Sequence, residues 1–359
     1  MAHRITLIPG DGIGPEVVEA ARRAVEATEI DVEWDRREMG AGAFARTGAP
    51  LPADTLDAIR DTGVALKGPV ETPVTSGMRS VNLTLRRELD LFACVRPCRT
   101  YPGVPSYYDE VDLIVVRENI EDLYTGIEFE EGAPDTTELI AFVAEASGVH
   151  MRVDTGVSVK TISEFGSERI VRFAFDLAVA QHRSKVTAGH KANIMKFSDG
   201  LFLEVARRVA AEYPQIVFED RIIDALCMQL IRSPERFDVL VLPNFYGDVV
   251  SDVGAGLIGG LGVAPGGHIG NAAAVFEATH GTAPRLAGRN HANPVGAMLS
   301  AAMMLRHLGE REAGDRLEGA IAEVLAEGTF VTADLRWPGD DRPAATTIQV
   351  ADAVIARLS

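Results

Sequence analysis

Three observations predict an α/β fold for this chain of 359 residues. Short apolar runs rich in β-formers alternate with longer amphipathic stretches along nearly the whole sequence. The first of these runs passes through a glycine turn straight into a helix start. Apolar residues make up 47% of the chain, enough to bury a sizeable core in one large domain or two ordinary ones.

Ile5–Pro9 reads as a buried strand. Gly14-Pro15-Glu16 opens a helix, with proline at an early helical position and an acid in the first turn, where the helix dipole favours it. Val17, Val18, Ala21, Ala24 and Val25 form its apolar face. Val64–Lys67, Leu113–Val116, Val239–Leu242 and Val275–Glu277 read as further short strands. Val171–Val179, Leu201–Ala211, Pro294–Leu308 and Leu317–Leu325 read as helices. Two stretches break the alternation. Arg99–Asp109, with Pro102, Gly103, Pro105 and Tyr107-Tyr108, reads as a crossing segment between domains. Gly254–Gly270 holds eight glycines and reads as a loop whose backbone can approach another surface closely.

The formal net charge of −17 argues against a nucleic-acid partner, which would call for a basic patch. An anionic substrate must therefore meet a local basic cluster. No apolar run reaches the roughly 18 residues of a membrane span, so no membrane partner is expected. Met1-Ala2-His3-Arg4 leads into an apolar run too short for a signal-peptide core, and a cytoplasmic location is expected. Cys94, Cys98 and Cys227 fit a reducing compartment. They lack the Cys-x-x-Cys spacing and are expected to be buried thiols.

Four features carry chemistry. Gly10-Asp11-Gly12-Ile13-Gly14 follows a strand and precedes a helix, but its G-x-G-x-G spacing fails the dinucleotide fingerprint. By itself it is a tight strand-to-helix turn. Arg86, Arg96 and Arg117 each lie in or beside an expected strand or helix end. The arginine fork binds carboxylates bidentately, and an acid with two or three carboxylates needs about this many. The alternative is ordinary surface ion pairing. Arg117 resists that alternative because it ends a run of four apolar residues. Asp248 and Asp252 stand four apart, on one face if helical. Their repulsion is relieved by a divalent cation, Mg²⁺ or Mn²⁺ for oxygen-only ligands. The alternative is a helix N-terminus decorated with acids. The phenol of Tyr124 can donate or accept a proton.

The longer string Gly10-Asp11-Gly12-Ile13-Gly14-Pro15-Glu16 resembles the opening of the β-decarboxylating dehydrogenases, which act on isocitrate, homoisocitrate, 3-isopropylmalate or tartrate. The resemblance runs over nearly the whole chain. Arg117-Glu118-Asn119-Ile120-Glu121-Asp122-Leu123-Tyr124-Thr125-Gly126 is similar to the family's Arg-Glu-Asn segment. Gly189-His190-Lys191-Ala192-Asn193 resembles its catalytic-lysine segment. Asn244-Phe245-Tyr246-Gly247-Asp248 with Asp252 resembles its metal motif, and Asp224 matches a third aspartate. Ala274–Pro284 resembles its nicotinamide-adenine loop, comprising His280, Gly281, Thr282 and Ala283, with Asn293 at the adenine contact.

The resemblance implies the isocitrate/isopropylmalate dehydrogenase-like two-domain α/β fold, not a Rossmann domain. Residues 1–98 and 257–359 are expected to form a large cofactor-binding domain. Residues 99–256 are expected to form a small domain with the metal site and dimer interface. The active site is expected in the cleft between them. It implies that Tyr124 and Lys191 are catalytic, and that Arg86, Arg96 and Arg117 bind a small di- or tricarboxylic acid. It assigns Asp224, Asp248 and Asp252 to Mg²⁺ or Mn²⁺. Lys191 and Asp224 are expected to come from the second subunit of a homodimer with shared sites.

Ser80 and Asn82 match the polar pair that isocitrate enzymes set against a third carboxylate, so isocitrate is the expected substrate. The product would be 2-oxoglutarate and CO₂, with hydride passing to NAD(P)⁺. The same chemistry on 3-isopropylmalate, homoisocitrate, tartrate or an analogue is the nearest alternative. A non-catalytic regulatory subunit is the other, although all five expected catalytic and metal groups are present. Arg285-Leu286 follows the loop, and an arginine there can pair with a 2′-phosphate. Ala333 and the Thr-x-Asp-Leu string at 332–335 look more like the NAD⁺ type, while Arg336, one residue out of register, could compensate. NADP⁺ is expected, with NAD⁺ also used.

Overall fold

The computed structural model describes residues 2–71 and 80–358. The end residues of the expected large domain, and positions 72–79 within it, lie outside the described residues.

Twelve strands are described: β1 (His3–Ile8), β2 (Val32–Arg36), β3 (Val64–Lys67), β4 (Ala93–Arg99), β5 (Asp112–Glu118), β6 (Glu128–Phe129), β7 (Val157–Ser158), β8 (Lys185–His190), β9 (Val217–Ile222), β10 (Val239–Leu242), β11 (Gly267–Ile269) and β12 (Ala274–Phe276). Ten of them make one sheet in the order β2-β1-β3-β12-β11-β4-β5-β10-β8-β9, while β6 and β7 pair separately. Both flanks are parallel, but β11 runs antiparallel to β12 and to β4, and β4 is antiparallel to β5. That antiparallel centre sets the molecule apart from an all-parallel doubly wound sheet. Helices cover the sheet, which explains why β3 and β10 are buried at every position and why, Lys67 apart, they read as apolar runs.

The N-terminal turn works as backbone engineering. Gly12 has φ +61°, and a Cβ there would lie 2.0 Å from the Thr282 carbonyl oxygen. Ile13 N–H donates to that same oxygen at 2.9 Å. The Asp11 carboxylate accepts backbone N–H groups of Ala41, Gly42 and Glu71 at 2.8, 3.1 and 2.8 Å. The turn thus clamps the segment around Thr282 to the start of helix Gly14–Glu26.

The expected elements are present with small shifts: the 275–277 strand is Ala274–Phe276, and the 317–325 helix runs Arg311–Glu327. The glycine-rich stretch differs more. Gly254 and Gly256 lie inside helix Asn244–Leu257, and β11 occupies 267–269. Gly254 is helical because it packs on Cys98, whose Sγ would stand 2.5 Å from an added Cβ. Arg99–Asp109 connects β4 to β5, so the crossing is a step between neighbouring strands. Cys94 and Cys98 are buried free thiols as expected, and burial pushes Cys98 up to about 12, whereas Cys227 is partly buried. No helix among the described residues is long and apolar enough to cross a membrane.

Candidate active site

The antiparallel centre of the sheet aligns the polar groups. Cys94 on β4 is opposite Arg117 on β5 and His268 on β11, and His268 is opposite Val275 on β12, which faces Ala65 on β3. Side chains alternate along strands, so Arg96, Glu277 and Lys67, each two residues on, share that face. The same face carries Arg117.

Arg117 is buried, and each of its three guanidinium nitrogens donates once, which leaves one N–H on each of Nη1 and Nη2. Its Nε and Nη2 donate to Asn244 Oδ1 at 2.9 and 2.7 Å, and Nη1 donates to Asp248. The guanidinium carbon lies 4.8 Å from the centre of the Tyr124 ring, a cation–π geometry. Gly247 makes room for it, since a Cβ there would be 2.5 Å from Arg117 Cγ. The Tyr124 hydroxyl donates to the other Asp248 oxygen. Burial would raise the Asp248 carboxyl, but Arg117, the Tyr124 hydrogen bond and Arg96 together hold it below the usual carboxylate range. Burial pushes the Tyr124 phenol up, and the bond to Asp248 adds to this.

Asp248 and Asp252 do lie on one helix, Asn244–Leu257, one turn apart. Arg96 Nη1 stands 3.9 Å from Asp248 Oδ1 and 3.6 Å from Asp252 Oδ1, and donates to Ser251 Oγ. Lys191 and Asp224 form a separate group, with Nζ to Oδ1 at 2.5 Å. Among the described residues, no three His, Cys, Asp or Glu side chains gather as a metal site. Within one chain, Asp224 therefore does not gather with Asp248 and Asp252.

A cavity of ≈160 Å³ opens beside this face, lined among others by Asn82, Arg86, Arg96, His268, Glu277 and His280. Three buried polar atoms of its lining have no hydrogen-bond partner among the described residues: Asn82 Oδ1, Arg86 Nε and His280 Nε2. Burial, then the nearby Arg117, lowers the Arg86 guanidinium, and burial keeps His280 below its ordinary value. Ser80 stands at the N-cap position of helix Val81–Glu88, without a side-chain capping bond, and that helix carries Asn82 and Arg86. Arg87 on that helix donates to the Tyr124 carbonyl at 2.9 Å.

The floor of the cavity holds a cluster the sequence reading missed. The Lys67 ammonium, fully buried, pairs with Glu277 and donates to the Gly68 carbonyl at 2.9 Å. His268 Nε2 is 2.9 Å from the other Glu277 oxygen, and His268 Nδ1 is 3.1 Å from Asn119 Nδ2. Lys67 follows a run of apolar strand residues just as Arg117 follows Leu113–Val116, and that shared pattern was the available signal. Asn244 was visible only as part of a motif; its role as the seat of Arg117 needed the fold.

On the loop expected to hold the cofactor, Gly281 and Thr282 follow His280, and Ala283 takes φ +39°. Asn293 Nδ2 donates to Asp334 Oδ2 at 2.9 Å, so the loop is tied to the Asp334 turn. Arg285 and Leu286 are exposed. Arg336, the residue that could compensate for Ala333, has contacts of its own. Its head group is spent on Asp340 at 3.1 Å and the Pro343 carbonyl at 2.7 Å.

The family model for isocitrate/isopropylmalate dehydrogenase matches residues 4–354. The mitochondrial NAD isocitrate dehydrogenase catalytic subunit 5 of Arabidopsis thaliana is 44% identical over 331 residues, covering 92% of this chain and 83% of that protein. The NADP isocitrate dehydrogenase of Thermus thermophilus is 45% identical over 358 residues, covering 99% of this chain and 67% of that protein. The chloroplastic 3-isopropylmalate dehydrogenase of Solanum tuberosum is 44% identical over 326 residues, covering 90% and 86%. The crystal structure of isocitrate dehydrogenase from Methylococcus capsulatus superposes with a TM-score of 0.90 at 46% identity, covering 99% of both chains. The chain therefore belongs to the isocitrate/isopropylmalate dehydrogenase family of decarboxylating oxidoreductases and has that family's fold.

Proposed function

We propose that this enzyme oxidatively decarboxylates isocitrate to 2-oxoglutarate and CO₂ with hydride transfer to NADP⁺, and to NAD⁺ less readily. The observation that carries the reading is the set of unpaired buried polar atoms, Asn82 Oδ1, Arg86 Nε and His280 Nε2, lining one cavity with Arg96. A substrate with several carboxylates satisfies such groups, whereas an apolar side chain leaves them unpaired at a cost.

In this reading Arg86, Arg96 and Arg117 hold the carboxylates as bidentate forks, with Ser80 and Asn82 against the third. Asp248 and Asp252, with Asp224 of a second copy, are an all-oxygen donor set suited to Mg²⁺ or Mn²⁺. When bound there, such a cation supplies Lewis-acid stabilisation of negative charge developing on the substrate. His280, Gly281, Thr282, Ala283 and Asn293 hold the dinucleotide. Arg285, with no ion pair of its own among the described residues, is placed on the same loop to meet a 2′-phosphate. Lys191 of the second copy, assisted by Asp248, takes the proton from the 2-hydroxyl as hydride leaves C2. The β-carboxylate then departs as CO₂, and the Tyr124 hydroxyl returns a proton to the carbon it leaves.

A homodimer is part of the proposal. Ile194, Phe197, Met228, Ile231, Phe245 and Val249 are exposed apolar side chains in the segments that carry Lys191, Asp224 and Asp248. A second copy laid over them would hide that surface and complete two sites. The two halves, 1–98 with 257–359 and 99–256, then act as the large and small domains around the cleft, in a cytoplasmic enzyme.

A panel of isocitrate, 3-isopropylmalate, homoisocitrate and tartrate, each with NADP⁺ and NAD⁺, tests the reading. Fastest turnover is expected with isocitrate. Faster turnover of 3-isopropylmalate would overturn the substrate assignment.

A further inference from the structure

Lys160 lies two residues beyond β7, outside every motif discussed so far. Its ammonium is 2.7 Å from Asp199 Oδ1 and 3.7 Å from Asp122 Oδ1, and 4.4 Å from the centre of the Tyr246 ring. The lysine side chain is mostly buried, and both carboxylates are completely so. Two carboxylates removed from water in one place need a cation between them.

Each partner of Lys160 is fastened to a segment that bears a group of the proposed site. Asp199 Oδ2 accepts the backbone N–H of Lys191 at 2.6 Å. Asp122 Oδ1 accepts the N–H of Leu123 at 2.9 Å, within the short 3-10 turn that holds Tyr124. Asp122 Oδ2 accepts the N–H of Phe245 at 2.9 Å, in the first turn of the helix that holds Asp248. Tyr246 is on that same turn. Asp122 also carries φ +69°, uncommon for a residue with a side chain, and its own N–H donates to the carbonyl of Thr161, next to Lys160, at 2.8 Å. Such a conformation persists only where its surroundings over-determine it.

We propose that Lys160 is a positioning residue, which through Asp199 and Asp122 fixes the Lys191 segment, the Tyr124 turn and the Asp248 helix relative to one another. The inference rests on the function proposed above for Tyr124, Lys191 and Asp248. Lys160 touches none of the reacting groups. Its effect is on where those segments stand: the Tyr124 turn and the Asp248 helix in this chain's own site, and the Lys191 segment in the site that it completes in the second copy, and in either a shift of about 1 Å is enough to cost a large factor in rate.

The test is Lys160→Met in the full-length enzyme. Turnover per folded active site should fall at least about tenfold. KM for the acid substrate should change much less than kcat, because Asn82 and Arg86 stand on helix Val81–Glu88, outside the segments that Lys160 ties together. Lys160→Arg, which keeps the charge, should recover most of kcat. In the unliganded protein, the amides of Lys191 and Phe245 should exchange with solvent about tenfold faster or more, while β10 amides such as Leu240 keep the wild-type rate. A purely structural role would instead speed exchange throughout and leave kcat per folded site unchanged. Should the Met variant not fold, Lys160→Gln carries the same comparison. Unchanged exchange at both amides, or kcat within about twofold of wild type, overturns the proposal. Exchange needs no turnover, so it decides the point even if no acid in the panel proves to be a substrate.

Discussion

The Tyr124 hydroxyl donates to Asp248 on the opposite side from Arg117, so one carboxylate gathers the phenol and the guanidinium. The phenol is thereby oriented by a charged acceptor while its ring is stacked on Arg117. A proton donor held this way is ready to act at a carbon placed above it.

Tyr124→Phe should therefore lower kcat by about 100-fold or more with a smaller change in KM, the range usual for loss of a general acid. Steady-state kinetics with isocitrate would show it. A kcat within about threefold of wild type would remove Tyr124 from the proton-transfer step.

Activity should require Mg²⁺ or Mn²⁺ and disappear with excess chelator. Asp248→Asn should cut turnover severely and raise the cation concentration needed for half-maximal rate, because a charged oxygen ligand is lost at a site that also holds a polyanionic substrate. Full activity in chelator would sink the metal assignment.

Glu277 makes a stability prediction. Burial would raise its carboxyl, but Lys67 and His268 hold it well below the usual carboxylate range. The folded value thus lies below the unfolded value of about 4.3, and its contribution is full above that pH and is lost as pH falls from there through the lower folded value. Glu277→Gln leaves the Lys67 ammonium buried without a counter-charge and should cost about 3 kcal/mol at pH 7. The gap to wild type should narrow progressively below about pH 4, because the unfolded chain takes up a proton on Glu277 there that the folded protein does not. Denaturant titrations at pH 7 and in acid would measure both, and a pH-independent gap would contradict the assignment.

Cofactor choice is tested by Arg285→Asp. The new carboxylate repels a 2′-phosphate, so kcat/KM for NADP⁺ should fall about 30-fold or more while that for NAD⁺ changes little. Equal losses with both cofactors would show that Arg285 does not read the phosphate. Arg336→Ala should leave the preference unchanged, because its guanidinium is already bound to Asp340 and the Pro343 carbonyl.

Local chemistry was legible wherever a short string dictates its own conformation. The strand Val239–Leu242, the proline-started helix at Gly14, the single helical face of Asp248 and Asp252, and the anomaly of a charge at the end of an apolar strand in Arg117 all follow from neighbours in the chain. The family motifs added roles to those residues. What they could not supply was pairing between distant segments. The register that sets Cys94 opposite both Arg117 and His268 depends on which strands become neighbours. So does the union of Lys67 with Glu277, 210 positions apart. The helical state of Gly254 was hidden because composition favours a loop, and only the contact with Cys98 explains a missing side chain there. Arg336 looked free in sequence and is engaged in the fold. Lys160 carried no local mark at all, since its importance lies in three partners drawn from three separate segments. The sequence by itself determined the element types and the chemical inventory, because backbone propensity and side-chain chemistry act over a few residues. The tertiary structure alone decided which charges are paired and which polar atoms are left open to substrate, because burial and electrostatic pairing depend on distance in space.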